Sequence, residues 1–142
     1  MKEYFSKSVK KELMSVPAKD CCKISECYGM LICASFFSSR AISLYTESQS
    51  IAQKYTNAVQ KICGVRCGLY SPQTEGGGLY LCSVEKTADR KLVLDKFSHK
   101  SNDISIRINF ANFENECCYA AFLRGVFLVC GSISDPQKNY RL

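Results

Sequence analysis

The sequence predicts an α+β fold, one α-β-β-α-β-β-α unit followed by the start of a second, pseudo-two-fold related unit. Three observations predict it. Segments with a helical apolar period alternate with short β-type runs bounded by turn residues. A stretch near the N-terminus recurs, without a gap, 96 residues later. The 142 residues are 46% hydrophobic and 23% charged, enough for one globular domain with a packed core.

Tyr4 to Val16 reads as an amphipathic helix, with Phe5, Val9 and Leu13 at every fourth position, Lys7, Lys10 and Lys11 facing away, and Pro17 as its stop. Asp20 suits the N-cap of a second helix, Cys21 to Ala34. Ser35 to Ser38 and Ala41 to Thr46 form a hairpin around Ser39-Arg40. Ile51 to Ile62 is helical, with Ile51, Tyr55, Ala58, Val59 and Ile62 on one side and Gly64 as its C-terminal stop. Val65 to Tyr70 and Leu79 to Val84 are strands joined by a glycine-rich loop. Glu85 to Phe97 is a polar helix whose buried stripe is Ala88, Leu92, Val93 and Phe97. In the connector that follows, Ile104, Ile106, Ile108 and Phe110 alternate with polar residues, the pattern of a strand. Glu116 to Val129 is the last helix, and Ser132 to Leu142 opens another hairpin with Asp135-Pro136 at its turn.

This order divides the chain into an N-terminal helix (1–19), a first unit (20–97), a connector (98–115) and the start of a second unit (116–142). The chain ends eleven residues after Gly131, too few to complete a copy of the first unit. It therefore reads as an N-terminal fragment, expected to expose apolar helix surface and to self-associate over it.

Composition excludes several classes. The net charge of +6 is a mild basic excess, compatible with a polyanion but far from a dedicated basic arm. With His99 the only histidine, a histidine-built zinc site or a Ser-His-Asp centre has almost no raw material, and His99 itself is expected to be exposed in a polar connector. Lys2, Glu3, Lys7, Lys10, Lys11 and Glu12 leave no room for a signal peptide, and the apolar run Ala120 to Ile133 is short and broken by Arg124, so no membrane association is expected. The ten cysteines contain no C-x-x-C pair, and Cys63 with Cys67 lacks a matching second pair. Cys27, Cys33, Cys118 and Cys130 fall inside apolar helical patterns. They read as reduced, buried small hydrophobes in a reducing cytoplasm, with no metal and no cofactor.

The repeat carries the functional reading. Cys21-Cys22-Lys-Ile-Ser-Glu-Cys-Tyr-Gly29 aligns with Cys117-Cys118-Tyr-Ala-Ala-Phe-Leu-Arg-Gly125, with three apolar residues after each glycine. A glycine inside a helix costs about 1 kcal/mol relative to alanine, so two matched ones need a compensating contact. Ser25, Gly29 and Cys33 share one helix face, and Ala121, Gly125 and Val129 share the equivalent one. Small side chains at that spacing let two backbones approach closely, so these six residues are the expected helix–helix interface.

Each repeated helix, Cys27-Tyr-Gly-Met-Leu-Ile-Cys-Ala-Ser35 and Leu123-Arg-Gly-Val-Phe-Leu-Val-Cys-Gly131, resembles the LAGLIDADG motif of homing endonucleases. The chain more closely resembles the N-terminal part of the WhiA family, regulators of sporulation and cell division in Gram-positive bacteria. That resemblance rests on Phe5-Ser-Lys-Ser-Val-Lys-Lys-Glu-Leu13, on Cys21-Cys22, and on the long stretch from Cys117 to Pro136. It implies α-β-β-α-β-β-α units, a non-catalytic role in transcription regulation, double-stranded DNA as partner, and a nucleoid-associated place in the cytoplasm. It also implies a C-terminal helix-turn-helix beyond these residues, where recognised DNA binding resides.

A nuclease of the resembling kind needs a carboxylate near the end of each motif helix to hold metal ions at the scissile phosphate. Ala34 and Cys130 occupy those positions, so no catalytic residues are expected. In the nuclease relatives the sheets form a saddle over the major groove. If it persists, Arg40, Ser43, Tyr45, Arg66, Tyr70, Lys138 and Arg141 are the DNA-facing candidates. Arg124 reads either as a phosphate contact or as a partly buried ion-pair partner. The alternatives are a homing endonuclease fragment, a cysteine-rich metal or redox module, and a module that binds only a protein partner.

Overall fold

The computed structural model describes residues 5–72, 78–100 and 107–131. Helix α1 (Phe5–Met14) stops before Pro17, and α2 (Asp20–Ile32) follows. Lys19 stands at the cap of α2 with no side-chain hydrogen bond, so Asp20 acts as a negative charge in the first turn and not as the N-cap. Strands β1 (Phe36–Phe37) and β2 (Ile42–Thr46) form the first hairpin. Its turn is held by Ser38 Oγ, which accepts from the N–H groups of Arg40 at 3.2 Å and Ala41 at 3.3 Å.

Helix α3 (Gln49–Ala58) begins at Ser48, whose hydroxyl accepts from the Ile51 N–H at 3.2 Å. A wide π-type turn over Val59–Cys63 extends it, and Gly64 ends it at φ +70°, a conformation open to glycine at little cost. Strands β3 (Gly68–Tyr70) and β4 (Tyr80–Ser83) complete an antiparallel four-stranded sheet in the order β1-β2-β4-β3. Leu44, Cys82 and Leu69 are cross-strand neighbours in one row, and Tyr45, Leu81 and Tyr70 form the next, on the opposite face. The inner face meets α2 and α3 through Tyr28, Leu31, Tyr55, Val59, Ile42, Leu44 and Val84, all essentially inaccessible.

Helix α4 (Thr87–Lys96) buries Val93 and Leu94, with Phe97 just past its end. The structure departs from the expected stripe: Leu92 is 54% exposed and Ala88 is exposed. Arg90 sets the rotation. Its guanidinium donates to the carbonyls of Ser39, Val84 and Glu85, tying α4 to the β1–β2 turn and the end of β4. The inward stripe is therefore Arg90, Val93, Leu94 and Phe97, a helical i, i+3, i+4, i+7 pattern with a cation at its head.

His99 is also corrected: it is buried, 6% exposed. Ser98 adopts a left-handed φ of +60° and the His99 N–H bonds the Leu94 carbonyl at 2.9 Å, folding the chain back into the core. There the imidazole stacks on Tyr28, meets Phe37 edge-on, and shares a 2.8 Å hydrogen bond with the Tyr28 hydroxyl. The same hydroxyl accepts from the Asn109 N–H at 2.7 Å.

In the connector, Ile108 lies outside any strand and Phe110–Asn112 forms a short 3-10 turn. Asn109 Oδ1 accepts from the Ala111 N–H, a local bond that competes with strand formation. Ile104, Ile106 and the hairpin placed on Ser132–Leu142 lie outside the described residues. Helix α5 (Glu116–Cys130) then returns along α2.

Candidate functional site

The site is the pair α2 and α5, which run parallel with equivalent residues facing each other. A methyl built on Gly29 would strike the Phe122 carbonyl oxygen and lie 3.0 Å from the Val126 nitrogen. A methyl on Gly125 would strike the Glu26 carbonyl oxygen and lie 3.1 Å from the Met30 nitrogen. Glu26 and Phe122, like Met30 and Val126, are equivalent positions of the repeat. The two contacts are thus the same contact seen from either helix, as a local dyad requires. Ser25 and Ala121 are buried beside the glycines, while Cys33 and Val129 are half-buried further along. Tyr28 leans from α2 onto Phe122 of α5, ring centroids 5.5 Å apart.

One carboxylate crosses this interface. Glu26 is 7% exposed and pairs with both Arg124 of α5 and Lys54 of α3, the latter at 2.8 Å. Arg124 is therefore an ion-pair partner inside the fold, the second of its two readings.

The C-terminal tips of the pair hold Ala34, half-buried, and Cys130, exposed. The Cys130 thiol donates to the Val126 carbonyl at 3.3 Å. Burial, with Cys130 alongside, pushes the Cys33 thiol up to about 11. Lys10 of α1 lies 5.5 Å from the Phe127 ring centroid, and its partial burial lowers its pKa. A methyl, two thiols and an ammonium offer no oxygen ligand to a hard divalent cation.

The N-terminal ends of the pair gather the two Cys-Cys entries. The Sγ atoms of Cys21, Cys22, Cys117 and Cys118 all lie within 4.8 Å of one another. Buried packing describes Cys27, Cys67 and Cys82, but it does not describe this group, in which Cys117 is exposed. A search of local spacings misses the cluster because its halves lie 96 residues apart; the coincidence of both pairs in the repeat was its one visible signal.

The sheet face turned away from the core carries Phe36, Tyr45 and Tyr70, each about half exposed. Ser43 shares the strand parity of Tyr45, but it is 6% exposed between β1 and β4, so it offers no surface to a ligand. Tyr70 donates to the Glu85 carboxylate, which raises its own pKa. Arg40, in the β1–β2 turn, and Arg66, in the loop before β3, are exposed at the edges of this face. Lys138 and Arg141 lie outside the described residues. Among the described residues no helix is long and apolar enough to cross a membrane.

These features define a class: an α+β protein organised on a close-packed pair of repeated, parallel helices, the first of which leads into its own antiparallel sheet. No family model matches the chain. Probable cell division protein WhiA of Alkaliphilus oremlandii is 31% identical over 153 residues, covering 97% of this chain and 48% of that protein. The protein of the same name from Bacillus mycoides is 31% identical over 147 residues, covering 95% and 45%. The crystal structure of full-length DUF199/WhiA from Thermatoga maritima superposes with a TM-score of 0.62 at 18% identity, covering 97% of this chain and 43% of that one, which shows the shared fold. The chain is similar in sequence to these WhiA proteins, and it spans about half the length of the curated relatives it matches.

Proposed function

We propose that this chain is a non-catalytic, DNA-associated module of a WhiA-type regulator of cell division and sporulation, working at the nucleoid in the cytoplasm. One observation carries the reading: Ala34 and Cys130 at the tips of a motif-helix pair whose relatives are named for cell division. On this reading the close-packed helix pair is the architecture that would position two metal-binding acids, and its tips carry a methyl and a thiol instead. Arg40, Arg66 and the exposed aromatic rings of the sheet suit the phosphates and edges of duplex DNA, while the helix-turn-helix that the resemblance implies would carry the larger share of DNA affinity.

The test is an anisotropy titration of the chain against duplex DNA at rising salt, with and without magnesium. Binding should weaken linearly in log salt, and Arg40→Ala and Arg66→Ala should each reduce the slope by about one. Magnesium-dependent nicking of a plasmid would restore the nuclease reading.

A protein-binding role is the second reading, favoured by the apolar surface on and beside α5. Tyr119 is 47% exposed, Leu123 63% and Phe110 63%. Absence of any DNA binding at the lowest salt would select this reading, with a second copy of the chain or another protein on that face.

A further inference from the structure

We infer that Cys21, Cys22, Cys117 and Cys118 form a structural metal site that holds one zinc ion as a tetrathiolate and staples the N-terminal ends of α2 and α5. Zinc–thiolate bonds of about 2.3 Å place the sulfurs of a tetrahedral site about 3.8 Å apart. Here Cys21 Sγ and Cys117 Sγ are 4.0 Å apart, and all four sulfurs fall within 4.8 Å of one another. Closing onto an ion therefore needs movements of tenths of an ångström. Sulfurs this close enclose a single ion and leave no room for an iron–sulfur cluster, whose bridging sulfides spread the ligands further apart.

The symmetry of the group supports a site over a chance meeting of thiols. Cys22 Sγ lies 3.6 Å from the Cys117 carbonyl oxygen, and Cys118 Sγ lies 3.7 Å from that of Cys21, the same contact repeated across the dyad. Each helix contributes one buried and one solvent-side thiol, so the ion would be enclosed below and reachable from above. Asn115 Nδ2 donates to Cys21 Sγ at 3.5 Å, an outer-shell donor of the kind that steadies a metal-bound thiolate.

Both pairs sit in the first turn of their helix, and neither helix has a side-chain N-cap. The positive dipole ends of two parallel helices therefore converge where thiolates would form. Asp20 and Glu116 precede the pairs and favour a cation over an anion at this position. Binding releases one proton from each of the four thiols to solvent and leaves two net negative charges on the ion and its ligands, with no change of oxidation state. Four protein ligands fill the coordination sphere, which makes the site structural and not catalytic. It lies at the opposite end of the helix pair from Ala34 and Cys130 and stands whether or not the chain contacts DNA.

The experiment is elemental analysis of the whole chain, purified under reducing conditions, followed by titration of the metal-stripped protein with Co(II). The expected result is about one zinc per chain and, with cobalt, the intense charge-transfer and visible bands of tetrahedral thiolate coordination, bleached by added zinc. The double variant Cys21→Ser/Cys117→Ser should lose the ion and the bands. Cys33→Ser/Cys130→Ser, at the far end of the pair, should keep both. Circular dichroism checks that each variant is folded; if the first double variant is not, the wild-type cobalt spectrum decides alone. Folded, reduced wild-type protein without zinc and without cobalt bands overturns the site. Bands that persist in Cys21→Ser/Cys117→Ser overturn it too. So do disulfides among the four cysteines whose reduction yields no cobalt-binding protein.

Discussion

Helices α2 and α5 are two versions of one motif in different surroundings. Cys27 of α2 is inaccessible beneath the sheet, whereas its equivalent Leu123 is 63% exposed. Tyr28 sits in an aromatic cluster with Phe97 and His99, whereas its equivalent Arg124 reaches back across the interface to Glu26. On the shared face the two helices are interchangeable, glycine for glycine and carbonyl for carbonyl. The dyad thus constrains the mutual face alone, and the outer faces have diverged according to what covers them.

The most direct way to break the symmetry is at the glycines. Gly29→Ala and Gly125→Ala should each destabilise the protein by about 3 kcal/mol, because the methyl meets a partner backbone that cannot step aside as a side chain would. Chemical denaturation measures both, and a silent result at either position would show that the helices are not equivalently packed. Next is Glu26, whose repeat equivalent is Phe122. Glu26→Gln leaves Arg124 and Lys54 facing each other without their acid and should cost about 2 kcal/mol, less than for a fully buried pair because Lys54 keeps a quarter of its side chain in water.

The covered half also has a pH signature. Burial, helped by neighbouring Cys82, pushes the Cys67 thiol up to about 12 from an ordinary value of 9.0. Below about pH 9 both states keep the proton and the contribution is intact. Above it the unfolded chain ionises first, so stability under reducing conditions should fall as pH climbs toward 12. Cys67→Ala should flatten that decline while costing about 1 kcal/mol at neutral pH. The smallest effect belongs to the uncovered half: Leu123→Lys should change stability by less than about 0.5 kcal/mol and reduce any self-association seen by sedimentation.

The α+β class and the order of elements were legible because they rest on local signals: apolar period, Pro17, Gly64 and the glycine-rich loop. What escaped depends on neighbours distant in sequence. Leu92 and Leu94 are equally apolar, and the choice between them is made by Arg90 reaching the carbonyl of Ser39, a residue in another element. His99 lies in polar surroundings in the sequence, and a single left-handed residue, Ser98, turns it into the core. Ser43 has the outward parity, yet a short sheet with Phe36 beside it buries so small a side chain. Cysteine spacing assumes ligands close together on one segment, and here a repeat supplies them from two.

The reciprocal seating of Gly29 and Gly125 has a mechanical consequence. Side chains between helices can swap rotamers and act as bearings, but peptide groups in direct apposition form a keyed joint. The two helices cannot slide or twist past each other without lifting apart. A displacement of α5 would therefore carry α2 with it, and the Glu26–Lys54 ion pair ties α2 in turn to α3.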